Sequence, residues 1–184
     1  MSSTSHEYHD AHQECLSRRA FLRGGGAAVG GVILLTGIPG MGGRAIAAET
    51  VSYPRALIGK LSELETNKPM AFNYPDKNKN SNSVLVKLGT PAGGGIGTGR
   101  DVVAFNTLCT HMGGDLGKSF QPMHQALGPC QFHQSTFDLT RHGIIISGHG
   151  TESLPQVLLE TENDNIYAVG MLGLIYGRYD NLKG

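Results

Sequence analysis

"CTHMGGDL" (residues 109–116) and "GPCQFHQSTF" (residues 128–137) are the stretches on which the reading of this chain turns. Each sets a cysteine close to a histidine: Cys109 two residues before His111, Cys130 three residues before His133. A lone intervening residue on an extended or turning backbone lets both side chains of the first pair aim at a common point. Gly113 and Gly114 follow the first pair, and Gly128-Pro129 opens the second. Glycine beside a ligand permits positive backbone angles and lets amide N–H groups approach a charged centre closely. Four chemistries use thiols and imidazoles on such loops: a disulfide with bystander histidines, a zinc site, a catalytic thiol, and an iron–sulfur cluster of mixed ligation.

Outward from these loops the chain alternates short apolar runs with turn residues. "YPRALIGKL" predicts a first strand within 51–64, residues 70–74 a short extended piece, "SVLVKL" a strand over 83–88 and "VVAFNTL" one over 102–108. After Cys109 strand character is weak until "STFDLT" (135–140), and then "HGIIISG", "QVLLET", "NIYAVG" and "LGLIYGRY" follow quickly. "ENDN" between two of these runs reads as a hairpin turn. The glycine run "GTPAGGGIGTGRD" lacks the Lys-Ser/Thr of a phosphate loop and lies between two strands, so it reads as a hairpin connection. The expected fold is all-β, antiparallel, with an irregular segment from Cys109 to about His133.

At 184 residues the chain suffices for one domain with a real core. Fifteen Lys and Arg balance fifteen Asp and Glu, which leaves no electrostatic footprint for nucleic acid or an acidic membrane. The N-terminus reads as an address. "SRRAFLR" carries the paired Arg18 and Arg19, an apolar stretch follows, and "AIAAE" offers cleavage after Ala47 or Ala48. This resembles a twin-arginine export leader over residues 1–48, with the domain proper at 49–184. A membrane anchor is the competing reading, but the apolar run is glycine-rich, broken by Pro39, and short of the roughly 20 apolar residues a span needs. Cleavage removes Cys15 and the tail histidines His6, His9 and His12, leaving two cysteines. In an oxidising compartment two cysteines ordinarily mean one disulfide.

A Cys109–Cys130 disulfide leaves the two matched histidines unexplained. Zinc accepts two thiolates and two imidazoles, but structural zinc sites usually pair Cys with Cys and His with His along the chain. A catalytic thiol needs one cysteine and a distant base. A 2Fe-2S cluster with cysteines on one iron and histidines on the other needs this inventory and no more; it ranks first and zinc second. The two boxes, "CTH-M-G" and "C-x-x-H-Q-S-x-F", resemble those of Rieske iron–sulfur proteins over roughly residues 84–169.

That resemblance implies stacked antiparallel sheets with a small cluster-binding subdomain at about 105–140. It implies that Cys109 and Cys130 ligate the inner iron and His111 and His133 the outer, solvent-facing one, and that the Ser135 hydroxyl donates to a bridging sulfide. Met112, Gly114, Phe132, Phe137 and Pro155 are the other positions expected around the cluster. The chain departs from the respiratory cytochrome bc branch at three of them. Gly114 and Phe132 stand where that branch has a disulfide joining the loops, and Phe137 stands where it has a hydroxyl donor to a ligand sulfur. Fewer hydrogen bonds to cluster sulfurs imply a lower potential, while imidazole ligation keeps it above an all-cysteine cluster. His124, His142 and His149 have no assigned role.

The export leader, the absent second cysteine pair and the Pro-containing stretch "SGHGTESLPQVLLE" together resemble the small subunits of bacterial arsenite oxidases. The implied role is a one-electron relay in a heterodimer. A large molybdopterin subunit would do the substrate chemistry, a soluble cytochrome c or copper protein would be the acceptor, and the twin-arginine translocase would export the folded pair. The implied place is the periplasm, or the inner-membrane surface. "IIIS" and "GLIYG" are the candidate subunit contacts. A Rieske subunit of a quinol-oxidising bc-type complex and an oxygenase ferredoxin are the alternatives.

Overall fold

The computed structural model describes residues 52–183. The expected leader, with Arg18, Arg19, Cys15 and the cleavage site, lies outside the described residues.

Six strands form one antiparallel sheet: β1 (Ala56–Lys60), β2 (Met70–Asn73), β3 (Asn82–Lys87), β4 (Val102–Asn106), and, beyond the ligand loops, β9 (Gln156–Glu162) and β10 (Asn165–Leu172). Their order is β1-β10-β9-β4-β3-β2. A second sheet of four short strands, β5 (Phe120–Gln121), β6 (Ala126–Leu127), β7 (Thr136–Asp138) and β8 (Ile144–Ser147), runs in sequence order. Between the described strands the only helical pieces are two 3-10 turns, at Leu61–Glu63 and Leu139–Arg141. The all-β expectation holds.

The alternation of side chains along β3 and β4 explains how the layers stack. Val84, Val86, Val103 and Phe105 point to one face, where they pack with Leu116, Leu127, Phe137, Leu139, Leu154, Cys109 and Cys130. Leu85, Val102 and Ala104 point to the other, where they pack with Val157, Ile166, Ala168 and Ile175. Both faces of this central pair are therefore buried, and every residue of β4 is. The large sheet also curls. A Cβ on Gly59 of β1 would lie 2.7 Å from Cε of Met70 in β2, although these strands stand at opposite ends of the strand order. One face of the curled sheet closes on itself and the other carries the small sheet with both cysteines.

Two expectations about elements change. β5 and β6 lie where no strand was expected, because two-residue strands show no period in sequence. "LGLIYGRY" contributes only Leu172 to a strand; the chain then turns at Gly173 (φ 90°) and Gly177 (φ 78°). "IIIS" is β8, with Ile144 and Ile146 exposed and Ile145 packed on the core. The "ENDN" hairpin is present: Asn163 takes the left-handed conformation (φ 56°) between β9 and β10.

Candidate metal centre

Both ligand loops are tips of hairpins on the face of β3 and β4. The first springs from an antiparallel bridge between Leu108 and Asp115, the second from the β6–β7 pair, where Leu127 opposes Phe137. Their backbones close alike. Cys109 N–H donates to Gly114 O (2.9 Å) and Gly113 N–H to Cys109 O (2.8 Å); Cys130 N–H donates to Ser135 O (2.9 Å) and Gln134 N–H to Cys130 O (2.9 Å). The fifth residue of each loop has positive φ, 69° at Gly113 and 61° at Gln134. The sequence pattern hinted at two matched loops; it did not show that they share one fold.

This closure sorts the four side chains by chemistry. Cys109 and Cys130 are free and buried, so no disulfide joins them. His111 is half-buried and His133 exposed. Their rings meet edge to face with centroids 4.5 Å apart, and the two Nδ1 atoms are 3.1 Å apart. Two imidazole lone pairs at that distance repel unless a proton or a cation lies between them. Nitrogens each about 2.1 Å from one metal ion, at roughly a right angle, lie about 3 Å apart, so the spacing suits a shared metal. A binuclear cluster takes its ligands in pairs, two thiolates and two imidazoles. The donor set and its division into buried thiols and accessible imidazoles fit a 2Fe-2S cluster of Rieske type.

The surroundings follow from the same loops. Ser135 is fully buried, and its Oγ accepts from His149 N–H (3.2 Å) and Gly150 N–H (3.1 Å). Both contacts are acceptances, so neither uses the hydroxyl's own proton. Gly148 makes this approach possible: at φ 89° it passes so close that a Cβ would stand 2.4 Å from Ser135 N. Phe137 is fully buried in the cluster of side chains that holds both cysteines. Gly114 and Phe132, the positions of the absent disulfide, do meet. A Cβ on Gly114 would lie 3.1 Å from Phe132 Cδ2 and 2.7 Å from Cys130 Sγ, so this loop accepts only glycine there unless the ligand sulfur moves. Met112 and Phe132 are both more than half exposed beside the imidazoles' loops.

Pro155 lies at the foot of its loop. Its carbonyl accepts from Asn106 N–H (2.9 Å), and a Cβ on Gly173 would touch its ring. The residue of that loop that reaches the imidazoles is His149, with ring centroids 5.7 Å from His111 and 5.8 Å from His133. Spacing gave no sign of this, because the approach depends on the backbone bonds to Ser135. His142 sits elsewhere. Gln156 donates Nε2–H to Gly93 O and accepts at Oε1, so His142 Nδ1–H is the donor across their 2.8 Å contact. His124 is exposed in the β5–β6 turn.

With this geometry in view, the family model of the Rieske 2Fe-2S domain matches residues 55–158. The chain is similar to the iodate reductase subunit IdrB of Denitromonas iodatirespirans, 53% identical over 96% of this chain and 92% of that protein. It is also similar to the iodate reductase subunit IdrB of Pseudomonas sp. (strain SCT), 51% identical over 95% of this chain and 88% of that protein. The cytochrome bc1 complex Rieske iron-sulfur subunit of Streptomyces lividans is 38% identical over 34% of this chain and 36% of its own length. Among solved structures, the soluble domain of the Rieske protein II (soxF) from Sulfolobus acidocaldarius shares the fold, with a TM-score of 0.56 at 20% identity over 65% of this chain and 78% of that one.

Proposed function

Because this chain belongs to the Rieske 2Fe-2S domain family, we propose that it is the electron-transfer subunit of a molybdopterin oxidoreductase of the iodate reductase type. In this reading Cys109 and Cys130 hold the inner iron, and His111 and His133 the outer. The observation that carries it is the pair of like-closed loops, which bury two free thiols and bring two accessible imidazoles to 3.1 Å at Nδ1. The cluster, when bound, takes up and gives back one electron at a time. The chain's own residues set the conditions. The apolar packing of Leu116, Leu127 and Phe137 keeps water from the thiolate side. Ser135 offers its free hydroxyl proton toward the sulfurs. The imidazoles leave an edge at the surface, where a partner comes within electron-transfer reach.

Near-full-length similarity to two iodate reductase subunits supports electrons leaving this chain toward a large catalytic subunit; in that direction the cytochrome c or copper protein expected as acceptor would serve as donor. The arsenite oxidase reading keeps the same division of labour and reverses the flow; it rests on the resemblance of the Pro-containing stretch and the absent second cysteine pair. The quinol-oxidising alternative has thinner support, since its bc1 relative matches only 63 residues. Arg18 and Arg19 support export of the folded heterodimer to the periplasm by the twin-arginine route.

The test uses the complex isolated from its native host. Iodate is expected to reoxidise the pre-reduced cluster within catalytic turnover. Reduction of the oxidised cluster by arsenite, with no response to iodate, would transfer the assignment to arsenite oxidase. Silence toward both would overturn the pair.

A further inference from the structure

Without a disulfide between positions 114 and 132, the first ligand loop is held by its two closing backbone hydrogen bonds, the Leu108–Asp115 bridge at its base and a bond from Thr110 Oγ1 to Glu152 O (3.0 Å). Yet each of its consecutive glycines is covered by an aromatic ring. A Cβ on Gly113 would lie 2.5 Å from both Cδ1 and Cε1 of Tyr176, and one on Gly114 would lie 3.1 Å from Phe132 Cδ2. Phe132 comes from the second loop. Tyr176 comes from the C-terminal segment that follows β10.

That segment is pinned on both sides of the ring. Tyr176 O accepts from Asn80 Nδ2 (2.9 Å). Two residues on, the buried Arg178 guanidinium makes paired bonds to Asp76 (3.0 Å each) and further bonds to Ser81 Oγ (2.7 Å), Lys79 O (2.9 Å) and Asn181 O (2.7 Å). The Asn181 side chain accepts from Ile175 N–H and donates to Gly173 O, 2.9 Å each. Charge-assisted, bidentate bonds of this kind fix geometry as well as contribute energy. A ring anchored so firmly, resting on a glycine that has no side chain to resist it, restrains the loop that carries Cys109 and His111.

We propose that Tyr176 and Phe132 are positioning residues: a non-covalent aromatic clamp that holds the first ligand loop against the second, anchored through Arg178 and Asn80 to the 76–81 turn. The inference rests on reading 109–114 as a ligand loop. The Tyr176 hydroxyl makes no hydrogen bond among the described residues, so the ring alone does the holding.

Tyr176→Ala and Tyr176→Phe separate this role from general packing. Amide hydrogen exchange in the metal-free chain is expected to rise about tenfold in residues 109–114 of Tyr176→Ala, and to change less than about twofold in 130–135. Iron release from the loaded chain to a chelator should quicken by a similar factor, and Tyr176→Phe should match wild type in both. Equal loosening of the two loops, or no change in the first, would overturn the clamp. Should Tyr176→Ala not fold, Asn80→Ala keeps the ring and frees its backbone. It is then expected to raise exchange in 109–114 by about two- to threefold, and an unchanged rate overturns the proposal. A wild-type chain that binds no iron would instead overturn the cluster reading, leaving the exchange comparison to decide the clamp.

Discussion

Ser135 shows how one buried hydroxyl is spent on two tasks. Its lone pairs receive the His149 and Gly150 amides and fix the loop over the imidazoles, while in the proposed function its proton is the donor to a cluster sulfur. Hydrogen bonds to cluster sulfurs favour the more negative, reduced state. Ser135→Ala should therefore lower the midpoint by on the order of 50 mV, the one-electron equivalent of roughly 1 kcal/mol. Phe137→Tyr tests the opposite sign, since it restores a hydroxyl within the side chains that pack on both cysteines; voltammetry should show a rise of similar size. An unchanged or lowered midpoint in Phe137→Tyr would mean that its hydroxyl does not reach a sulfur. At this scale the four ligand candidates were legible, because thiol and imidazole spacing is written directly in the chain. His149 was not, because nothing in "SGHGT" says which backbone its loop will bond.

Among elements, the legible ones are those whose period reports burial. In "SVLVK" and "VVAFN", strictly alternate residues feed the two faces of the central pair, and both strands were readable. The C-terminal segment was misread as a strand, since apolar content without its polar anchors looks alike in either state. Arg178 and Asn181, not the apolar residues, set its path. Arg178 bonding to Asp76 holds that carboxyl well below its ordinary value of 3.8, with Ser81 and the Asn78 amide adding to the effect. A carboxyl depressed in the folded state stabilises fully above that ordinary value, and its contribution is lost as pH falls toward the folded one. Urea titration should show this loss below about pH 4 in the wild type. In Asp76→Asn the slope should be shallower, and stability at neutral pH should fall by roughly 3 kcal/mol because the buried guanidinium loses its partner. Parallel acid profiles for the two proteins would refute that role for Asp76.

Across the described residues, a curled sheet carries a small sheet on one face; one ligand loop springs from the β6–β7 pair and the other from the Leu108–Asp115 bridge beside it. The larger partner, the direction of electron flow and the exported heterodimer belong to the proposed function, and reconstitution tests them together. The chain alone, pre-reduced, should react with iodate at least about a hundredfold more slowly than the assembled complex, because substrate chemistry is assigned to the other subunit. An equal rate would place that chemistry here. The claim beneath all of this is the ligand set, and pulsed electron paramagnetic resonance of the reduced, purified protein reads it most directly. Two strongly coupled imidazole nitrogens are expected, one disappearing in a His111 variant that still retains its cluster. A reduced centre with no coupled nitrogen, or a colourless protein holding zinc, would contradict it.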